Sequence, residues 1–206
     1  MYIPRFNAMD DPDDIRAFVE SIGSAEIVTV GPGGTPLATL LPIVWSADGG
    51  TLIAHFARAN PHWREIRHDA PFLAIVAGPQ AYISPAWYAA KAEHGRVVPT
   101  WNYSAVHLTG TARVHDEAEW VREAVTSLTD LHEQPRAQPW AVTDAPAPYV
   151  DKNLKAIVGL ELTVHRVEAK AKLSQNRSEA DRAGVVRGLR AEGGDPDVAA
   201  DMDRLR

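Results

Sequence analysis

The sequence predicts an α+β protein, mainly β, built as an antiparallel barrel with peripheral helices. Three observations lead to this class. Most of the predicted strands are joined by short glycine-containing turns, which is typical of hairpins. Long helices do not alternate with the strands, as they would in a doubly wound parallel sheet. Helical periodicity is confined to a few segments, chiefly residues 10–22, 117–131 and the last part of the chain.

The first part of the chain is predicted as a helix followed by hairpins. Pro12 suits the first position of a helix, apolar residues then recur at helical spacing, and Gly23 ends the element. Turns at 31–34 and 47–50 separate the strands that follow. The predicted elements are a helix at 10–22, strands at 26–30, 36–46 and 51–57, and a short helix from Asn60 through His68.

The remainder continues the same pattern. The helix at 117–131 is the clearest one, because its apolar residues share one face. The four prolines between 134 and 148 indicate a loop. The other predicted elements are strands at 72–84, 100–115 and 157–167, helices at 85–93 and 149–156, and a polar helical tail. We expect one main domain, residues 1–175, and a C-terminal helical tail, residues 176–206.

Composition excludes several kinds of chemistry. The chain has 206 residues, no cysteine and a formal net charge of −6. Disulfides, thiolate metal sites, iron–sulfur clusters and a cysteine nucleophile are therefore excluded. The N-terminus does not resemble a secretion signal, and no stretch approaches the roughly 20 apolar residues of a membrane span. We expect a cytoplasmic protein that is not a general binder of polyanions.

Residues 55–62 contain the first candidate site. A predicted strand ends here and a helix begins, with Arg58 and Asn60 at the junction. Backbone N–H groups at a helix start, together with a guanidinium, suit a phosphate group. The alternative is a helix-capping asparagine beside a surface arginine. The eight histidines show no spacing typical of a zinc site, and we expect no metal.

Two further segments are unusual. Residues 82–88 and 99–103 concentrate large aromatic side chains among serine, threonine and asparagine, which suits a planar heteroaromatic ligand or, alternatively, a barrel core. Residues 166–190 hold seven basic and three acidic side chains. This basic segment suits a phosphate, a partner subunit or DNA, and the alternative is a solvated helix entry.

Three motifs follow one another along the chain: Tyr82-Ile83-Ser84-Pro85-Ala86-Trp87-Tyr88, Val98-Pro99-Thr100-Trp101-Asn102-Tyr103 and Leu173-Ser174-Gln175-Asn176-Arg177. In this order they resemble the PaiB family, whose members are described as FMN-binding negative transcriptional regulators. The opening Met1-Tyr2-Ile3-Pro4 and residues 55–63 fit the same pattern, so the resemblance spans roughly residues 1–190.

The resemblance implies an FMN-binding split barrel related to pyridoxamine-phosphate oxidases and flavin reductases, assembled as a homodimer with flavin at the subunit interface. It places three groups of residues around the cofactor. Thr39, Leu40 and Leu41 would line the isoalloxazine ring, and His55, Arg58 and Asn60 would lie near the ribityl chain and phosphate. The pocket would be completed by Trp101, Asn102, Lys172 and Gln175. The related oxidases grip phosphate with Ser, Arg and Lys, whereas the turn here reads Arg58-Ala59-Asn60-Pro61-His62.

The resemblance therefore implies an FMN-binding split-barrel protein of the negative transcriptional regulator type. No helix-turn-helix pattern is present, so direct DNA binding would use the 166–190 segment. The alternative function is a flavin-dependent oxidoreductase acting on a small molecule, with Trp101 and Tyr88 stacking the substrate. A third hypothesis is a dimerisation or DNA-binding module. Haem in the same barrel, or an empty barrel, is the alternative to FMN, and no catalytic residue is assigned.

Overall fold

The structure is a computed structural model that describes residues 1–191 and 194–204. Over these residues the chain forms seven strands and seven α-helices. The strands are β1 (Ser24–Val30), β2 (Pro36–Pro42), β3 (Val44–Trp45), β4 (Thr51–Ala57), β5 (Ala70–Ile83), β6 (Thr100–His115) and β7 (Ile157–Lys172). The helices are α1 (Pro12–Ile22), α2 (His62–Glu65), α3 (Ala90–His94), α4 (Ala118–Glu133), α5 (Ala147–Leu154), α6 (Glu179–Ala191) and α7 (Pro196–Arg204).

The strands form one antiparallel sheet in the order β2-β1-β5-β6-β7-β4-β3. β1 pairs with β2 over its whole length, from Ser24 opposite Pro42 to Val30 opposite Pro36. β4 pairs with β7 in the same manner, from Thr51 opposite Thr163 to Ala57 opposite Ile157. The sheet does not close, since β2 and β3 lie at its two ends. This arrangement confirms the predicted class, an antiparallel α+β fold with peripheral helices.

Several element boundaries differ from the prediction for local reasons. The strand predicted at 36–46 is two strands, because its two parts have different partners: β2 pairs with β1, whereas β3 pairs with β4 at the other end of the sheet. The helix predicted at 85–93 is a 3-10 turn, Pro85–Trp87, followed by α3. The short helix predicted through His68 ends at Glu65, and the last strand continues beyond the predicted residue 167 to Lys172.

The described chain divides into two compact units. Unit 1 contains Met1–Phe18, Ala77–Val106 and the residues from Glu168 onward, and unit 2 contains Val19–Val76 and His107–Val167. Each of the long strands β5, β6 and β7 contributes one part to each unit. The expected separation of a 1–175 domain from a 176–206 tail stays a prediction, and residues 205 and 206 lie outside the described residues.

The core of unit 2 follows from strand alternation. Every second residue of β4 is buried, and α4 contributes Val121, Ala124 and Leu128 from its apolar face. Gly159 of β7 has no side chain because the ring of Trp120 occupies that place: a Cβ there would lie 2.1 Å from Trp120 Cζ3. His115 stacks on the same indole, with ring centroids 4.1 Å apart.

The core of unit 1 is built largely by the segment predicted as a polar tail. α6 and α7 are amphipathic, and their apolar sides join residues from β5 and β7 in one buried cluster. Its members are Ala81, Ile83, Tyr88, Ala171, Leu173, Val185, Val186, Leu189, Val198, Ala199 and Met202. The polar sequence of the tail reflects only its exposed side.

Two glycines of α6 allow the 3-10 turn at Pro85–Trp87 to pack closely. A Cβ on Gly188 would lie 2.3 Å from Trp87 Cδ2, and a Cβ on Gly184 would lie 2.0 Å from the carbonyl oxygen of Trp87. These approaches are shorter than van der Waals contact, so the positions require glycine. The contact orients the turn inside the first aromatic motif, residues 82–88.

We expect Gly188→Ala to lower the free energy of unfolding by about 1–3 kcal/mol, because the added methyl group collides with the indole. Chemical denaturation measures the change. In a Trp87→Leu background the same substitution should be close to neutral or stabilising, since alanine is the better helix former. A loss of equal size in both backgrounds would contradict the packing explanation.

Candidate functional site

His62 is the centre of a buried polar cluster in unit 2. Its imidazole lies between two threonine hydroxyls, with Nε2 2.8 Å from Thr29 Oγ1 and Nδ1 2.8 Å from Thr39 Oγ1. The side chain is 5% exposed. Burial lowers the pKa of His62, because the charged form loses its hydration. A neutral imidazole therefore connects β1, β2 and the start of α2.

Asn60 extends this cluster and fixes the turn before α2. Its Oδ1 accepts a hydrogen bond from the N–H of His62 at 3.0 Å, and its Nδ2 lies 3.4 Å from Thr39 Oγ1. The indole N–H of Trp63 closes the same turn by donating to the carbonyl of Arg58 at 3.0 Å. Asn60 thus holds the turn before α2, whose N-cap is Pro61, and also lies beside Thr39. α2 is a single turn, so its dipole contributes little.

Arg58 is held by other groups of unit 2. Its Nε donates to the carbonyl of Lys155 at 2.8 Å and its Nη2 to the carbonyl of Ile157 at 3.0 Å. Both terminal nitrogens bind the carboxylate of Asp116, with Nη1 3.1 Å from Oδ2 and Nη2 in contact with Oδ1. The hydrogen bonds with Arg58 lower the pKa of Asp116. A phosphate at Arg58 would have to compete with this carboxylate.

His55 lies on a different face of β4 from the core. It is paired with Gly159 of β7, so its side chain lies on the face that Trp120 covers. Burial lowers the pKa of His55, and its Nδ1 is a buried nitrogen for which the described residues supply no hydrogen-bond partner. A buried nitrogen without a hydrogen-bond partner destabilises the folded protein, unless a ligand supplies the missing donor or acceptor.

The predicted ring-binding residues belong to an edge strand. Thr39, Leu40 and Leu41 lie in β2, which pairs only with β1 among the described strands. Leu41 is buried, Thr39 is partly buried in the His62 cluster, and Leu40 is 60% exposed. The outer edge of β2 therefore presents backbone N–H and C=O groups next to an apolar side chain.

The remaining predicted residues belong to unit 1 and have separate environments. Trp101 is 47% exposed, and its indole N–H donates to Gln80 Oε1 at 3.0 Å. Asn102 is fully buried and hydrogen-bonds Ser174 Oγ at 3.1 Å. Gln175 accepts from the N–H of Leu173 at 2.7 Å and donates to a backbone carbonyl four residues earlier. Asn102 and Gln175 therefore hold the turn after β7.

Lys170 and Lys172 lie two residues apart on β7. Lys172 Nζ donates to the hydroxyl of Thr100 and, at 2.7 Å, to the carbonyl of Trp101. Lys170 is 6% exposed and donates to the hydroxyl of Tyr103 at 2.7 Å. Burial lowers the pKa of Lys172. Two basic side chains of the 166–190 segment are thus turned toward the protein.

Other basic side chains of this segment also have internal partners. Arg177 lies over the ring of Tyr88 at 4.6 Å, Arg182 donates to the carbonyl of Met202, and Arg190 pairs with Asp203 at 2.6 Å. Arg187 is exposed on α6. The local positive charge counted along the sequence is therefore largely engaged within the protein.

The structure thus brings some predicted residues together and separates others. In unit 2, Thr39 and Asn60 are in contact, whereas Arg58 binds Asp116 and His55 lies on the face covered by Trp120. Sequence reasoning missed the roles of His62, Thr29 and Asp116. Only Thr29, a polar residue on the buried face of β1 that also holds Ala25 and Ile27, could have indicated a buried partner for His62, and nothing local indicated Asp116.

Two general features complete the description. Across residues 1–191 and 194–204, no group of three or more histidine, aspartate or glutamate side chains is arranged to hold a metal ion. In the same residues, no helix combines the length and apolar character needed to cross a membrane.

Comparisons with known proteins give consistent results. A family described as "Putative FMN-binding domain" matches residues 1–166. The protease synthase and sporulation protein PAI 2 of Bacillus subtilis is 34% identical over 194 residues, which cover 93% of this chain and 90% of that protein. An uncharacterised protein of Emericella nidulans is 30% identical over 73% of this chain and 70% of its own length. These matches confirm the resemblance inferred from the motifs.

Solved structures show the same fold at low identity. The FAD- and haem-binding protein of Mycobacterium smegmatis has a TM-score of 0.61 and 19% identity, over 86% of this chain and 79% of that one. The flavocytochrome of Azotobacter vinelandii has a TM-score of 0.57 and 16% identity, over 88% of this chain and 78% of that one. Their likeness supports the split-barrel architecture expected from the resemblance.

We expect the free energy of unfolding to fall as the pH is lowered from 7 to 5. His55 and His62 have pKa values below the ordinary 6.5 in the folded protein, so the unfolded chain takes up protons first. Urea denaturation at a series of pH values measures this dependence. It should be weaker in His62→Gln and unchanged in His68→Gln, whose side chain is exposed. An unchanged slope in His62→Gln would contradict the assignment.

Proposed function

This chain belongs to the FMN-binding domain family, and its cofactor is FMN. We propose that the flavin lies along the outer edge of β2, with its phosphate near Asn60. Bound FMN supplies one- or two-electron redox chemistry. In this proposal one binding site contains four of the predicted contact residues, which are neighbours in unit 2: Thr39, Leu40, Leu41 and Asn60.

The edge of β2 fits the flavin ring in its chemistry. The pyrimidine edge of isoalloxazine alternates hydrogen-bond donors and acceptors, as the edge of a strand does. Leu40 supplies exposed apolar surface beside these groups. Thr39 supports the strand from inside, since its hydroxyl is held by His62 and Asn60. The single observation that carries the proposal is this open, rigidly supported edge in a chain of the FMN-binding family.

The polar residues predicted near the ribityl chain and phosphate differ in how readily they could bind it. Asn60 directs its Nδ2 toward Thr39 and has room for a second acceptor, because an amide nitrogen carries two hydrogens. His55 has a buried Nδ1 that lacks a partner among the described residues, which suits a ribityl hydroxyl. Arg58 would reach a phosphate by exchanging Asp116 for it. The contacts of Trp101, Asn102, Lys172 and Gln175 with flavin stay predictions.

We extend the proposal to assembly and biological role. The resemblance implies a homodimer with flavin at the interface, and the exposed Leu40 on an edge strand is compatible with such an interface. The regulatory role is supported by the resemblance and by the name of the Bacillus subtilis relative, a sporulation protein. A cytoplasmic location follows from that role and stays a prediction.

Arg58 and Asp116 test how the phosphate is held. We expect Arg58→Ala to weaken FMN binding by about 10- to 100-fold, the value of a charge-assisted hydrogen bond. Asp116→Asn should strengthen it several-fold, because the competing negative charge is removed. Titration of the purified protein with FMN, followed by flavin fluorescence, measures both. Arg136→Gln is the control, since Arg136 forms a separate exposed ion pair with Glu133.

Two outcomes of this titration would overturn separate parts of the proposal. Unchanged affinity in both Arg58→Ala and Asp116→Asn would show that the Arg58–Asp116 contact only stabilises the fold. Absence of FMN binding by the unmodified protein, in protein purified with and without added flavin, would overturn the flavin site itself.

Direct DNA binding is tested at Arg187. Because most basic side chains of the 166–190 segment have internal partners, we expect only weak, salt-sensitive binding. Each phosphate contact changes the slope of log affinity against log salt by about 0.9. Arg187→Gln should reduce this slope by about one contact, and Arg96→Gln, an exposed arginine outside the segment, should leave it unchanged. Absence of binding in a low-salt gel shift would contradict direct DNA contact.

A further inference from the structure

Unit 1 has a sheet face whose side chains differ in kind from its core. The residues of this face occupy alternate positions of β5, β6 and β7. The positions between them hold buried residues such as Ala81, Asn102 and Ala171, which point to the opposite face. Contacts between neighbouring strands confirm the placement, since Trp101 binds Gln80 and Tyr103 binds Lys170. We call it the aromatic–lysine face; its members are Gln80, Tyr82, Trp101, Tyr103, Lys170 and Lys172.

Lys170 is the structural member of the lysine pair. Its ammonium donates to the hydroxyl of Tyr103 at 2.7 Å and to the carbonyl of Tyr2 at 3.1 Å. It also lies 5.0 Å from the centroid of the Tyr103 ring. These contacts satisfy a buried cation without a carboxylate. Lys170 is therefore shielded from solvent and unavailable to a ligand.

Lys172 differs from Lys170 in its exposure and hydrogen bonds. The side chain is only half-buried, and its two acceptors are the hydroxyl of Thr100 and the carbonyl of Trp101. Both acceptors are uncharged, so they bind a neutral amine as well as an ammonium. A neutral amine would satisfy both with its two hydrogens and keep its lone pair directed elsewhere.

The surroundings shift the pKa of Lys172 downward. Burial lowers the pKa of Lys172 and the nearby positive charge of Lys170 adds to this effect, whereas Tyr103 opposes it. A desolvated lysine next to a second cation is a pattern that activates amines as nucleophiles. The hydrogen bonds with the Thr100 hydroxyl and the Trp101 carbonyl hold the amine at the start of β6.

The aromatic members of the face are open to solvent. Tyr82 and Trp101 are 50% and 47% exposed, and their rings meet edge to face with centroids 6.4 Å apart. The hydrogen bond from the indole N–H to Gln80 restricts the orientation of Trp101. A planar conjugated molecule can therefore stack here at little cost in side-chain ordering.

We propose that Lys172 captures a conjugated or aromatic aldehyde as a Schiff base, with the ligand ring stacked on Trp101. The amine nitrogen adds to the carbonyl carbon, and the adduct then loses water, taking both amine hydrogens with the carbonyl oxygen. No oxidant or reductant is needed for this step. The step itself requires no FMN. Lys172 and Trp101 are two of the residues that the resemblance implies at the flavin, so a flavin bound there would block the adduct.

Reductive trapping tests the proposal on the purified protein. The protein is incubated at neutral pH with cinnamaldehyde and cyanoborohydride, and the modified peptides are quantified by mass spectrometry. The chain has five lysines, of which Lys91, Lys152 and Lys155 are exposed and serve as internal references. We expect Lys172 to be modified at least about fivefold faster than these three. Equal or slower modification would overturn the proposal.

Three variants separate capture from general reactivity. Lys172→Arg keeps the positive charge and should lose the fast adduct, whereas Lys155→Arg should keep it. Trp101→Ala should slow labelling by cinnamaldehyde several-fold and leave labelling by acetaldehyde unchanged, because only the former has a conjugated system to stack. An equal effect on both aldehydes would overturn the stacking role. All labelling is done on protein without bound flavin, verified by the absence of flavin absorbance, so the result is independent of FMN binding.

Discussion

The two-residue period of the long strands β5, β6 and β7 is the constraint on which the rest of the structure depends. Each strand contributes to both units, and each assigns alternate side chains to opposite faces. In unit 1 one face supplies Ala81, Ile83 and Ala171 to the core, while the other holds tyrosine, tryptophan and lysine. A shift of one residue in pairing would exchange these faces, so the hydrophobic core also determines where the chemistry is placed.

Within each unit, polar groups that leave water are held by specific partners. His62 is held by Thr29 and Thr39, and Lys170 by Tyr103. An unpaired buried donor or acceptor costs about 1–3 kcal/mol, so such partnerships restrict the local geometry. They also limit what the same side chains can offer a ligand. Arg58 illustrates this limit, because its donors already bind Asp116 and two backbone carbonyls.

The fold was largely predictable because its determinants are local. Glycine turns, alternating apolar residues and helical periodicity indicated most strands and helices near their observed positions. The predictions failed where a distant contact decided the outcome. The strand at 36–46 divides because β2 pairs with β1 and β3 with β4, and the apolar side of the polar-looking tail packs against Tyr88 and Leu173.

The candidate site was predictable in its residue types and only partly in its arrangement. By itself the sequence determined the antiparallel class, the absence of thiol chemistry, and family membership through motifs that keep their order. Only the tertiary structure decided that Asn60 joins Thr39 and His62, that Arg58 faces Asp116, and that Lys172 lies beside Trp101 while Lys170 is buried. The reason is physical: hydrogen bonds and ion pairs between residues far apart in the chain depend on strand register and burial, which no local pattern encodes.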